Sequence, residues 1–298
     1  MRIPPHWAKQ DCTTEDQRGK ELRFWAWGWS FESVAAALVD AKARAQRICD
    51  HFAGGTRPDT YSYLEHPLRE EIVETFTHDD AEAAVITRNR YGCLVLNTPT
   101  VCFVDVDYPP AKRGAASGGL LAALLGLFSA QKRQERAAVA AAAASAIQQA
   151  TLDGVRQWFA RHPERAFRVY QTAAGLRLLF TDGVYDPKSP AVASLLNELG
   201  SDPLYRRLTL KQESFRARLT PKPWRCGCRR PPLGYPWEQP EDEQTYRRWQ
   251  ENYERAAQAF GTCRFVEALG AGASNDLIER VVALHDQYTC GAGDMALA

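Results

Sequence analysis

Asp105 and Asp107 stand two apart in VCFVDVDYPP (101–110), an apolar run of the kind found inside a sheet. Successive side chains of an extended chain alternate, so residues i and i+2 share a face and lie about 6.5–7 Å apart. Both acids therefore point the same way, with Phe103 on their side and Cys102, Val104 and Val106 on the other. Neighbouring anions repel unless something positive sits between them. Such a pair suits Mg2+ or Mn2+, which take oxygen ligands, keep several waters and accept substrate phosphates. In phosphoryl transfer these ions stabilise the attacking and leaving oxygens. The competing reading assigns Asp107 to the turn before Pro109-Pro110 and pairs Asp105 with an arginine.

A second constellation is basic. Residues 205–230 hold nine Lys/Arg and one acid, Glu213, a segment of +8 in a chain of formal charge +1. Within it, Arg216 and Arg218 alternate with Phe215, Ala217 and Leu219 and so share one strand face. Lys222, Arg225, Arg229 and Arg230 follow in a loop stiffened by Pro221 and Pro223. The planar guanidinium fork suits phosphate, and Trp224 offers a surface on which a base can stack. The alternative is a solvated basic loop.

The elements that must position these residues are legible in part. LRFWAWGW (22–29) reads as a strand, followed by a helix capped by Ser30 with apolar positions from Val34 to Phe52. A short helix is expected over 67–76. AAVITRNRYGCLVLN (83–97) reads as two strands about a turn, and with the aspartate strand they should form an antiparallel meander. Residues 111–135 read as a flexible insertion with a greasy segment, 118–130, and an Ala-rich helix follows. FRVYQTAAGLRLLFTD (167–182) is a hairpin signal. Ser189-Pro190 and Asp202-Pro203 should each start a helix. A strand at SFRARL, an acidic helix over about 240–260, the strand CRFVEAL and a terminal helix capped by Asp276 complete the order. Mixed strands and helices without strict alternation imply an α+β fold with an antiparallel or mixed sheet and packed helices. The chain is read as one domain, 1–298, the alternative division being 1–110 and 136–298.

The order of FVDVD, long helix and VYQTAAGLRLLF resembles the catalytic core of archaeo-eukaryotic primases and primase-polymerases, over about residues 83–182. Asp105 and Asp107 match that family's first motif, and Thr172 with Gly175 resembles its second. Arg177 stands where the family keeps a histidine that contacts the incoming nucleotide. Glu267 and Asp276 are the candidates for its third acid. The resemblance implies an RRM-like core with a helical insertion, Mg2+ or Mn2+ as cofactor, and nucleotides and a template as substrates.

The eight cysteines follow no framework spacing, which suits reduced thiols in a cytosol. Cys226-Gly-Cys228 is spaced too tightly for a zinc knuckle. His285-Asp286 reads as an outward-facing or locally paired dyad on a helix. No P-loop, dinucleotide fingerprint or nucleophile elbow occurs. The amino terminus lacks a secretory signal and 118–130 is too short to span a bilayer, so the expected location is cytoplasmic. Three functions follow. The first is a metal-dependent nucleotidyl- or phosphoryl-transfer enzyme using Asp105, Asp107 and Arg177, with Thr172, Gly175, Arg216, Arg218, Lys222, Trp224 and Arg225 around the ligand. The second is a non-catalytic module that binds nucleotides or single-stranded nucleic acid. The third is a protein that docks on a partner through 118–130.

Overall fold

A computed structural model describes residues 1, 3–55, 67–109, 130–273, 275–291 and 295–298, with the backbone alone at 130–133, 135 and 136. The greasy segment and most of the expected insertion lie outside the described residues. From Ala130 onward the chain is helical.

The described residues form an α+β fold with antiparallel sheets and six α-helices. The amino-terminal hairpin joins β1 (His6–Glu15) to β2 (Glu21–Ser30). Its strand β1 is hidden in the polar sequence HWAKQDCTTE, since pairing with β2 and not an apolar pattern of its own defines it. Helix α1 (Val34–Ala53) packs on this hairpin through Ala37, Ala41 and Ala45. The approach is so close that a side-chain carbon at Gly28 would fall 2.1 Å from the Ala41 nitrogen. Ser33, not Ser30, caps α1; the Ser30 hydroxyl instead accepts from the amides of Glu32 and Ser33 one turn earlier.

The expected helix at 67–76 is a strand, β3 (Glu71–His78). Ile72, Val73, Thr75 and Thr77 are β-branched, which disfavours a helix and suits a pleated sheet. It pairs with β4 (Ala81–Arg88), then β5 (Leu94–Thr98), then β9 (Phe215–Arg218). The strand of the two acids, β6 (Phe103–Asp107), was expected to continue this meander and does not. The Thr98 hydroxyl accepts from the amides of Thr100 and Val101 and turns the chain away.

β6 becomes the edge of a second sheet, ordered β11-β7-β8-β6, with β7 (Phe167–Thr172), β8 (Gly175–Phe180) and β11 (Cys263–Leu269). Helix α2 (Ala130–Arg161) covers one face, where Trp158 meets the rings of Phe167 and Phe180. Helices α3 (Pro190–Glu198) and α4 (Pro203–Gln212) begin as expected, with the side chains of Ser189 and Asp202 accepting amide hydrogen bonds. The 3-10 turn Pro223–Arg225 and α5 (Pro240–Ala257) follow. A short parallel pair, β10 (Phe260–Gly261) and β12 (Ala296–Leu297), flanks the last helix, α6 (Asp276–Thr289). Its cap is Asn275; Asp276, expected in that role, is the first helical residue.

Candidate functional site

Directly opposite residues share a face, so the register of the second sheet builds the site row by row. One row is Tyr170, Arg177 and Asp105; the next is Thr172, Gly175 and Asp107. Arg177 is 1% exposed and holds Asp105 with two hydrogen bonds, Nε to Oδ1 at 2.8 Å and Nη2 to Oδ2 at 3.1 Å. Its Nη1 donates to the Arg218 carbonyl of the first sheet at 2.8 Å. Tyr205 of α4 makes a parallel tie, donating to the Phe103 carbonyl at 2.9 Å. The two sheets are therefore fastened together beside the acids.

This is the competing arrangement for Asp105, a carboxylate paired with an arginine. Burial raises the affinity of Asp105 for a proton, but the Arg177 charge and hydrogen bonds outweigh it and hold the carboxyl below its ordinary value. Arg177, enclosed, has no face left for a phosphate.

Asp107, by contrast, is exposed at the strand end. Burial around the carboxyl and the charges of Asp105 and Asp202 raise its pKa, with Lys222 and Arg218 opposing. Gly175 lies directly across from it. A side-chain carbon there would meet the Val106 carbonyl at 2.2 Å and the Asp107 Cα at 2.9 Å. Gly175→Val is thus expected to push the two strands apart at Asp107 and to destabilise the fold by about 1–3 kcal/mol, the usual range for overpacking. Chemical denaturation measures this; an unchanged midpoint would show that the strands separate freely. Thr172, adjacent, closes the turn: its hydroxyl donates to the Gly175 carbonyl at 3.1 Å and accepts from the Ala174 amide at 3.3 Å.

The basic residues divide. Arg216 is consumed elsewhere, with Nη2 2.7 Å from the Glu70 carboxylate and Nη1 donating to Gln212. It is removed from the expected clamp, because buried Glu70 needs a cation there. Arg218, Lys222 and Arg225 form no ion pair among the described residues. Arg218 Nε and Arg225 Nη1 are buried without any hydrogen-bond partner. Burial and the neighbouring Arg177 and Arg225 charges lower the Arg218 pKa. Burial, Arg218 and Arg225 do the same to Lys222. These three cations repel one another, and the carboxylates of Asp105 and Asp107 offset that repulsion only in part and without direct pairing.

Trp224 stands 44% exposed on the same turn. Lys222 and Arg230 lie over its ring at 5.6 and 5.2 Å, and Tyr91 meets it edge-on at 5.3 Å. The loop is braced from behind, since Tyr253 donates to the Pro221 carbonyl and Trp249 to that of Arg229.

His285, expected to face outward or to pair locally, is fully buried, and the local pair forms as well. Its Nδ1 lies 3.0 Å from Asp286, and Nε2 lies 3.9 Å from the Cys263 thiol. Arg177 Nη1 reaches the same sulfur at 3.7 Å. The order thiol, imidazole, carboxylate is that of a nucleophilic triad, yet Cys263 is 2% exposed and burial pushes its thiol up to about 11. Burial also keeps His285 below its ordinary pKa. A neutral thiol without access to substrate is a structural partner of Arg177 and no nucleophile. These contacts were missed because nothing in the sequence spacing relates positions 177, 263 and 285.

Neither candidate third acid joins the pair. Glu267 is bound by Arg156 at 2.9 Å, and Asp276 is exposed in the first turn of α6. Among the described residues no group of three His, Cys, Asp or Glu side chains is placed to hold a metal ion. None of the described helices is long and apolar enough to cross a membrane.

Compared with protein-family models, curated proteins and solved structures, the chain matches none.

Proposed function

We propose that the chain binds a phosphate-bearing ligand, a nucleotide or a single-stranded nucleic acid, where Arg218, Lys222 and Arg225 gather beside the end of β6. One observation carries this reading: three neighbouring cations that form no ion pair among the described residues, two of them with buried guanidinium nitrogens that find no acceptor there. Unpaired buried donors of this kind are rare and call for a ligand. A phosphate group supplies both the missing acceptors and the missing negative charge. Trp224, on the same turn as Arg225, adds a ring for a base. The resemblance of FVDVD and QTAAGLR to the primase-polymerase core favours the same ligand class.

A second reading, metal-dependent nucleotidyl or phosphoryl transfer, has one observation on its side. Burial first, and then the charges of Asp105 and Asp202, raise the Asp107 pKa, and Mg2+ or Mn2+ would relieve the repulsion among the carboxylates. Against it, both oxygens of Asp105 are engaged by Arg177. The two carboxylates in this arrangement do not fit a shared ion, and no catalytic step is derived from one.

The two readings separate in one experiment. Thermal unfolding is followed with a nucleoside triphosphate, pyrophosphate or a short single-stranded oligonucleotide, each with and without Mn2+. Ligand binding raises the melting temperature by mass action. Binding by the cations predicts a rise without metal that shrinks steeply as salt is added. A rise that requires Mn2+ and disappears in Asp107→Asn would select the metal-dependent reading. No rise with any ligand rejects both.

A further inference from the structure

A cavity of about 270 Å3 lies between the amino-terminal hairpin, the segment entering β3, the end of β4 and the loop around residue 234. It includes none of the three phosphate-facing cations. Pockets for small molecules occupy about 300–1,000 Å3, so this one suits a compact ligand. Its walls carry the rings of Trp7, Tyr235 and Tyr246.

Polar groups on the wall are biased toward donors. Glu70 and Glu71 line the cavity, but Arg216 and Thr87 bind the first, and Arg247 the second. Arg88 is 5% exposed. Its Nη1 donates to the Gly92 carbonyl and its Nη2 to Glu254, while Nε, 3.7 Å from the Glu71 carboxylate, has no hydrogen-bond acceptor. Arg69 and Arg90 stand exposed on the cavity wall. A ligand here meets aromatic faces and guanidinium donors. The two glutamates behind them disfavour more than one negative charge.

We propose that this cavity binds a small planar aromatic ring bearing a single carboxylate, with the ring among Trp7, Tyr235 and Tyr246 and the carboxylate answered by the arginines. The site is independent of the phosphate-binding reading, and either stands if the other falls.

The test is calorimetric titration of the full chain with indole-3-carboxylate, with the neutral indole-3-carboxamide as control. The acid binds saturably, and the amide about tenfold more weakly, as expected when a charge-assisted hydrogen bond becomes a neutral one. The double variant Arg69→Ala/Arg90→Ala, at two exposed positions of the wall, weakens the acid and leaves the amide unchanged. Absence of saturable binding, equal affinity for acid and amide, or a double variant that binds the acid as the parent does each overturns the proposal.

Discussion

Asp105→Asn is expected to destabilise the protein by about 3–5 kcal/mol, the range for removing one partner of a buried ion pair, and Arg177→Met by about half as much. The asymmetry follows from where each charge sits. The Arg177 side chain is 2% exposed and that of Asp105 is 41% exposed. Without the carboxylate, a guanidinium remains enclosed beside Cys263 and the Arg218 carbonyl with its charge unanswered. Without the guanidinium, the carboxylate keeps its access to water and methionine fills much of the volume. The double variant should recover most of the loss caused by Asp105→Asn, since the stranded charge is then gone. Urea denaturation of the four proteins closes the cycle; equal losses for the two single variants would mean that Asp105 is no better hydrated than its partner.

Acid titration gives an independent check on the same pair. The folded Asp105 carboxyl lies below its ordinary value of 3.8. Its contribution is therefore fully present above that value and is lost as the pH falls through the lower folded value. Asp107 runs the other way: its folded pKa is raised, so the folded state gains relative stability as the pH falls through that value. Asp105→Asn should erase the acid-side loss. Asp107→Asn should instead raise stability at neutral pH, because it removes an anion that burial disfavours and that Asp105 and Asp202 repel.

What could be read from the sequence was what short-range chemistry determines. The hairpin of β7 and β8 was legible because apolar alternation and a small-residue turn lie within sixteen residues. The starts of α3 and α4 were legible because a cap followed by proline is a local instruction. Strand β6 and the common face of its two acids were legible from a period of two. Its sheet was not, since partner choice depends on a bend at Thr98 and on a strand seventy residues later. For the same reason Arg216 and Arg218, equivalent by alternation, met opposite fates: one pairs with Glu70, while the other lies between Arg177 and Arg225 and forms no ion pair among the described residues. The helix expected at 67–76 failed because the β-branched Ile72, Val73, Thr75 and Thr77 favour a strand and β4 supplies its partner.

The unequal fates of those two arginines make Arg218→Met the most discriminating substitution. Arg218 carries a charge that burial, Arg177 and Arg225 all oppose, and its Nε donates to nothing. Removing such a group should stabilise the ligand-free protein by about 0.5–2 kcal/mol, the gain typical when a functional compromise is relieved. Its main-chain carbonyl, which accepts from Arg177, is retained in the variant, so the tie between the sheets survives. Lys222 should regain a more ordinary pKa once the neighbouring charge has gone. Phosphate binding should move in the opposite direction: losing a charge-assisted contact of about 1.5–3 kcal/mol weakens pyrophosphate or a nucleotide by about tenfold or more. Melting curves with and without pyrophosphate read both effects, the curve without ligand shifting up and the ligand-induced rise shrinking. A variant that melts lower without ligand would mean that Arg218 already has an anion within the fold. Unchanged ligand affinity would remove it from the site. Opposed signs are what a binding cation predicts and a structural one does not, because a residue kept for the fold alone has no reason to be kept unpaired.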